Sequence, residues 1–197
     1  MADILPYLLS AFIGIGLAAA SGFRVFLPLF AVSLASYMGW IPMGDNFDWL
    51  SGLPTLITTG VATVIEILAY YIPVIDNFLD TLSIPLATIA GSVLFASQFM
   101  ELGTFPQWAL ALIAGGGTAA TIASGFAGTR AASTATTGGI GNNVVATTET
   151  VGAGLMSALS IFLPVIAFIF AIGLLILILF FGRKLWRKMK TQNSGIF

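Results

Sequence analysis

The stretch Ala20-Ser21-Gly22-Phe23-Arg24 lies at the junction of two apolar segments. Four of its residues return as Ala123-Ser124-Gly125-Phe126, again in apolar sequence and again shortly before an arginine, Arg130. These two arginines are the only Lys or Arg residues before position 183. Placing an ionised side chain at membrane depth costs about 2.5–3.5 kcal/mol of insertion free energy. Two arginines in such positions therefore indicate a functional site.

The composition indicates a membrane protein. Hydrophobic residues make up 58% of the chain and charged residues 8%, whereas about a quarter of the residues in soluble domains are charged. A chain of 197 residues can cross a bilayer about six to eight times at about 20 residues per crossing. We therefore predict an all-α, polytopic transmembrane helical bundle of about six to eight membrane segments.

The residue types that are missing exclude several kinds of chemistry. The chain has no cysteine and no histidine, which removes disulfides, thiol chemistry and the commonest metal ligand. Only carboxylates remain as metal ligands. We expect no metal, no cofactor and no nucleic-acid partner.

Two junctions between apolar segments predict broken or re-entrant helices. Ser21-Gly22 separates the first two segments, and Leu163-Pro164 separates the last two. Glycine interrupts helices at little cost, and a residue before proline avoids the helical region. The apolar segments lie at about 4–20, 23–43, 50–72, 82–102, 106–127, 148–162 and 163–182, with an exposed acidic loop expected at 44–48.

A basic run at 183–190 follows the most apolar segment. Because clustered Lys and Arg beside a membrane span stay on the inner side, we expect a cytoplasmic C-terminus, with Trp186 as an interfacial anchor. The predicted organisation is a single integral membrane domain over 1–190 and a cytoplasmic tail over 191–197. The expected location is the bacterial inner membrane.

The segment 128–143 is rich in glycine, threonine and serine. Non-helical backbone at membrane depth requires shielding by protein or water, so we expect this segment to line a cavity, with an exposed loop as the alternative. The glycines at 115–117, just before it, predict close packing of helices.

The order of landmarks suggests a degenerate internal two-fold repeat, over 1–105 and 106–190. Each half has Ala-Ser-Gly-Phe, an arginine, a glutamate and then Leu-Ser-Ile before a proline, although the spacings differ. Such repeats commonly form a midplane site from broken helices. Chance similarity between small-residue segments is the alternative.

Buried arginines need carboxylate or ligand partners. The available charge partners are Glu66 and Glu149, one for each arginine. Either these pairs only fix helix packing, or Arg24 and Arg130 bind an anion together with the hydroxyls of Ser21, Thr129 and Ser133.

Three further polar residues form a secondary candidate group. Asp76, Asn77 and Asp80 follow a proline, and we expect them to cap or border the next helix, with a cation site as the alternative. Glu101 is expected to be interfacial.

Two families resemble this sequence, and the first resemblance covers nearly the whole chain. The motifs Gly22-Phe23-Arg24-Val25-Phe26-Leu27-Pro28, Pro73-Val74-Ile75-Asp76-Asn77 and Gly128-Thr129-Arg130 resemble a bacterial family of small multi-pass membrane proteins, domain of unknown function 4126. That resemblance implies a membrane protein and no particular activity.

A remote similarity links Phe26-Leu27-Pro28 and the segment 128–133 to undecaprenyl-pyrophosphate phosphatases, whose repeats bind a polyprenyl phosphate. The chain lacks that family's closely spaced glutamate pair and has Ala131 and Ala132 in place of serines. The similarity therefore implies binding of an anionic lipid headgroup rather than phosphatase activity.

Three functions remain open. A transporter- or channel-like protein with an anion or lipid-phosphate site between the two repeats explains the charges best. The alternatives are a membrane-embedded enzyme acting on a lipid phosphate and a structural or accessory subunit. The expected partners are membrane lipids, an anionic small molecule or phospholipid, and further copies of this chain in a homo-oligomer.

Overall fold

The computed structural model describes residues 4–100 and 102–193, with the side chains of Pro73, Val74, Asn77, Leu185, Trp186 and residues 188–193 outside that description. The predictions for the side chains of Asn77 and Trp186, for Glu101 and for residues 194–197 of the tail therefore lie outside the described residues. Both described ranges contain helices and no strand, which confirms the predicted all-α fold.

Eight α-helices follow one another within residues 4–100 and 102–193. They are α1 (Ile4–Phe23), α2 (Phe26–Tyr37), α3 (Leu53–Ala69), α4 (Pro73–Ala96), α5 (Thr104–Leu110), α6 (Gly117–Thr137), α7 (Asn142–Phe162) and α8 (Pro164–Asn193). A 3₁₀ helix, Asp45–Ser51, precedes α3, and a π-helical turn, Ala111–Gly116, joins α5 to α6.

The chain is a multi-pass membrane protein. By length and composition, five described helical segments can cross a membrane: Ile4–Phe23, Phe78–Ala96, Thr104–Thr137, Asn142–Phe162 and Pro164–Lys184. The pair Asp45–Ser51 and Leu53–Ala69, bent by 60°, makes six if it counts as one crossing. The total of five, or six with the bent pair, lies just below or at the lower end of the predicted range. One reason is that the apolar segment 23–43 forms only a 12-residue helix, α2.

Helix α1 lies at the centre of the bundle and contacts α4, α6, α7 and α8. Its buried residues are mostly Gly, Ala and Ser, which let neighbouring helices approach closely. The helix ends at Phe23, slightly after the predicted break, and α2 begins at Phe26.

Helix α2 leads the chain back toward the N-terminal half of α1. Phe47 and Leu50, which follow α2, pack in the same core cluster as Leu17 and Tyr7 of α1. Helices α1 and α2 therefore form a V, and the tip of this V is Arg24–Val25. The acidic segment 44–48 is only partly the exposed loop that we expected, because Phe47 is buried between exposed Asp45 and Asp48.

The expectation of non-helical backbone over 128–143 is wrong. Helix α6 continues to Thr137, and a turn over 138–141 leads into α7. The hydroxyls of Thr129, Thr136 and Thr137 donate to the carbonyl oxygens four residues earlier, so the helix itself satisfies them. Gly138 ends α6 with φ of 65°, a left-handed conformation that glycine adopts without strain.

The predicted break before α8 is confirmed. Leu163 leaves the helical region with φ −138° and ψ 63°, and α8 starts at Pro164. The two Ala-Ser-Gly-Phe steps lie in different settings, because the first ends α1 and the second lies inside α6. The internal repeat stays a prediction.

Candidate functional site

Arg24 lies at the tip of the V and is almost completely buried, with 1% of its surface exposed. Its Nε donates to Thr150 Oγ1 at 3.1 Å, and its Nη2 donates to the Ala146 carbonyl at 2.8 Å, both in α7. Nη2 also lies 3.7 Å from Glu149 Oε2. Its third nitrogen, Nη1, is buried and has no hydrogen-bond partner among the described residues.

Arg130 enters the same region from α6 and is paired with three carboxylates. Its Nε and Nη2 donate to the two oxygens of Glu149 in α7. Its Nη1 lies 2.5 Å from Asp76 Oδ1 and 2.9 Å from Asp80 Oδ1, both in α4. This bidentate pairing with Glu149 is the geometry that a planar guanidinium favours.

Tyr70, just after α3, brings the two arginines together. The Cζ atom of Arg24 lies 3.8 Å from the centroid of its ring, and that of Arg130 lies 4.1 Å from it. A cation over an aromatic face is attracted by the electrons of the ring, most strongly where water is excluded. The ring therefore allows two like charges to be held close together.

Glu66 does not pair directly with an arginine, so the predicted one-to-one pairing of glutamates with arginines is wrong. Its oxygens accept hydrogen bonds from the backbone N–H groups of Val25 and Phe26, at 2.8 and 3.0 Å. These groups belong to the first turn of α2, where N–H groups lack partners inside the helix. The carboxylate of Glu66 thus caps α2, and Glu149 serves both arginines.

Six ionisable residues form what we call the charge cluster: Arg24, Glu66, Asp76, Asp80, Arg130 and Glu149. With every group ionised, two positive and four negative charges give a formal net charge of −2. All are at most 7% exposed except Asp80, whose side chain is 24% exposed. The cluster therefore has an excess of carboxylates, most of which are enclosed by protein.

A small cavity of about 20 Å³ lies inside the charge cluster, and we call it the central cavity. Arg24, Glu66, Tyr70, Asp80, Arg130 and Glu149 all line it. This volume holds about one water molecule.

An open groove of about 540 Å³, the α4–α6 groove, lies next to the central cavity. Asp80 and Arg130 line both spaces. The ion pair between these two side chains therefore lies where the groove meets the cavity.

The structure brings some of the other predicted site residues to this region and not others. Ser21 lines the central cavity, where its hydroxyl donates to the Leu17 carbonyl. Thr129 lies in a separate groove against α8, because neighbouring residues in a helix point about 100° apart. Ser133 is not among the residues lining the central cavity; its buried Oγ has no hydrogen-bond partner.

Asp76, in the first turn of α4, and Asp80, one turn further along, bind Arg130 with their side chains and do not cap the helix. Asp76 also accepts a hydrogen bond from Asn142 Nδ2 at 3.2 Å. The cap residue of α4, Ile72, has no side-chain hydrogen bond. Among the described residues, no group of three or more Asp and Glu side chains has the arrangement of a metal site.

Sequence reasoning missed Tyr70, Asn142 and Thr150. A tyrosine after an apolar helix is typical of a membrane interface, and nothing in the sequence distinguishes Tyr70 from its exposed neighbour Tyr71. Thr150 follows Glu149 directly, so the position of that glutamate was the one available signal.

Substitution of Tyr70 tests how much its aromatic ring contributes to the stability of the protein. We expect Tyr70→Phe to keep most of the stability, whereas Tyr70→Leu loses two cation–π contacts and lowers the free energy of unfolding by about 2–4 kcal/mol. Thermal unfolding in detergent measures the difference. Tyr37→Leu, at a tyrosine that is 53% exposed, is the control, and an equal loss in Tyr70→Phe would show that the hydroxyl matters instead.

Comparisons with curated proteins and with solved structures gave no significant match. The similarity to undecaprenyl-pyrophosphate phosphatases therefore stays a prediction. The family model described as Domain of unknown function (DUF4126) matches residues 11–184, which is most of the chain. With its bundle of membrane-crossing helices, the chain thus belongs to this family of unknown function.

Proposed function

We propose that the protein is transporter- or channel-like and that the charge cluster is the site through which a small charged species passes. The observation that carries this proposal is the position of the cluster. Five of the six side chains of the cluster line a water-sized cavity inside a helical bundle, and two of these five, Asp80 and Arg130, also line an open groove. Ionisable residues inside membrane helices commonly mark ion paths and proton relays.

A purely structural role explains this arrangement less well. Buried ion pairs are often no more stabilising than apolar residues of the same volume, because each charge must first lose its water. Four carboxylates around two arginines leave an excess charge that packing does not need. A role in carrying charge explains both this excess and the adjoining groove.

The size of the central cavity favours a small species. At about 20 Å³, it accommodates a water molecule, a proton carried by water or a monatomic ion, and not a phosphate ester. The donors of Arg130 face carboxylates, so an incoming anion would have to displace them.

Binding of a small anion at Arg24 is a second candidate. No atom in the described part of the chain accepts a hydrogen bond from its buried Nη1, and the residue lines the central cavity. A buried donor without an acceptor is costly, so a water or an anion in the cavity would lower the free energy of the site.

We also propose that the site lies toward the cytoplasm. Arg183, at the start of the basic run, lines the same groove as Ala132 near the end of α6. The basic run therefore lies at the same end of the bundle as the α6–α7 turn. Because clustered Lys and Arg beside a membrane span stay on the cytoplasmic side, this end of the bundle is the proposed cytoplasmic end, with the bacterial inner membrane as the proposed location.

Flux through reconstituted liposomes tests the proposed function. We expect the wild-type protein to pass at least one small ion, followed with a pH dye and with chloride- and potassium-selective electrodes. Arg24→Lys and Arg130→Lys keep the charge but lose the planar fork, and we expect both to lose flux while remaining folded. Arg183→Lys, at an exposed arginine, is the matched control.

The outcomes are distinct. Liposomes that stay as impermeable as protein-free ones toward every ion, with and without a membrane potential, would contradict transport. Unchanged flux in both lysine variants would place the path elsewhere. Release of phosphate from a polyprenyl or phosphatidyl substrate, dependent on Glu66 or Glu149, would instead support the enzyme alternative.

A further inference from the structure

We propose that the species carried is the proton and that Asp80 exchanges it between the α4–α6 groove and the central cavity. This inference rests on the proposed function and names its substrate. Three observations carry it: the different exposure of the four carboxylates, the place of Asp80 between the two spaces, and the excess negative charge.

The four carboxylates of the charge cluster differ in the hydrogen-bond donors that they contact. Glu66 accepts two backbone N–H groups, and Glu149 accepts two guanidinium N–H groups from Arg130. Asp76 is bound by Arg130 and by Asn142. Each of these three carboxylates therefore accepts hydrogen bonds from at least two donors.

Asp80 is more exposed at the surface of the bundle than the other carboxylates of the cluster. It contacts Arg130 Nη1 at 2.9 Å, and its side chain is 24% exposed, against 5% for Asp76 and 2% for Glu149. Since proton exchange with water requires contact with water, Asp80 is the carboxylate of the cluster best placed for it.

The position of Asp80 connects the two spaces. Its side chain lines the α4–α6 groove on one side and the central cavity on the other. Inside the cavity lie two further carboxylates, Glu66 and Glu149, and the cavity between them has the volume of one water molecule. A water in that space completes a chain of proton-binding groups.

Some of the charged groups around Asp80 favour its ionised form, and others favour its protonated form. Arg130 from α6 and Arg24 from the tip of the V favour its ionised form. Asp76 on its own helix, Glu149 from α7 and Glu66 from α3 favour the protonated form, and Tyr70 stacks on both arginines. With three carboxylates against two arginines, the surroundings of Asp80 carry a formal excess of one negative charge.

The proton step can be written in full. A hydronium ion in the groove gives its proton to an Asp80 oxygen and becomes water, and the formal charge of the cluster changes from −2 to −1. The contact between Asp80 and Arg130 weakens, while Arg130 keeps its charge and its bonds to Asp76 and Glu149. Release of the proton to a water in the central cavity restores the carboxylate.

Asp80→Asn tests this role, because the amide keeps the shape of the side chain and cannot take up a proton. In liposomes that contain a pH dye, we expect a membrane potential to drive proton flux through the wild-type protein. We expect Asp80→Asn to reduce this flux to that of protein-free liposomes and Asp80→Glu to keep part of it. Asp48→Asn, at an exposed acid of the 3₁₀ helix, is the matched control.

An infrared difference spectrum, recorded between mildly acidic and mildly alkaline buffer, measures the same group without any flux. We expect a band of a protonated carboxyl in the wild-type protein that is lost in Asp80→Asn and kept in Asp48→Asn. This measurement also shows whether the folded variant retains the other titrating groups.

The outcomes separate the inference from the function on which it rests. Wild-type flux of protons in Asp80→Asn, or a carboxyl band that survives in this variant, would overturn the role of Asp80. Flux of potassium or chloride without protons would contradict the proposal that the proton is the species carried. It would leave the proposed transport function intact. The absence of flux for every ion would remove the proposed function itself.

Discussion

Arg130→Gln is expected to lower the free energy of unfolding by about 3–5 kcal/mol, because the substitution leaves buried carboxylates without their counter-charge. Arg130 is 3% exposed and pairs with Asp76, Asp80 and Glu149. An amide cannot replace a guanidinium that donates in three directions. Thermal unfolding in a mild detergent, followed by circular dichroism, measures the loss.

Two further variants show whether the loss arises from the unpaired carboxylates. The double variant Arg130→Gln with Glu149→Gln removes one positive and one negative charge, and we expect it to recover part of the stability. Arg183→Gln, at an exposed arginine, should leave the unfolding temperature unchanged. Equal losses in the single and the double variant would contradict this explanation.

Gly115→Ala and Gly117→Ala are expected to have opposite effects, although they make the same change two residues apart. A Cβ atom on Gly115 would lie 2.5 Å from Phe95 Cβ and 2.7 Å from the backbone oxygen of Gly91, where α4 crosses the π-helical turn. Overpacking of this kind costs about 1–3 kcal/mol. The backbone oxygen cannot move unless the helices separate.

Gly117, by contrast, has no heavy atom within 4 Å of a Cβ added there. Alanine at this position gains up to about 1 kcal/mol of helix propensity. We therefore expect the two variants to differ by about 2–4 kcal/mol in unfolding free energy. Similar unfolding temperatures for both would show that α4 and the π-helical turn are less closely packed than the structure indicates.

The class of the fold and its two breaks could be predicted because each depends on local chemistry. Pro164 cannot donate to the preceding turn, which places the break at Leu163. Composition alone indicates helices that cross a membrane. The segment 128–137 is helical although its polarity predicts non-helical backbone. Its threonine hydroxyls donate to carbonyl oxygens of their own helix, a possibility that polarity alone does not reveal.

The partners in the charge cluster could be predicted only in part. That the arginines need carboxylates follows from electrostatics, and Glu149 does bind Arg130. That Glu66 caps α2 instead depends on the V bringing Val25 and Phe26 beside α3. The contacts of Tyr70 and Asp76 likewise depend on how α3 and α4 are oriented, and the sequence carries no signal for that orientation.

The hydrogen bonds of Arg24, at the tip of the V, depend on a helix that is synthesised much later than Arg24 itself. Arg24 is made early, but its partners Ala146 and Thr150 lie 122 and 126 residues further along the chain. At about 5–20 residues per second, the ribosome needs about 6–25 s to reach them. For that interval Arg24 lacks its two hydrogen-bond acceptors in α7, and the ring of Tyr70 is the partner that is made earlier. Synthesis of α7 is therefore the step that completes the hydrogen bonds of Arg24.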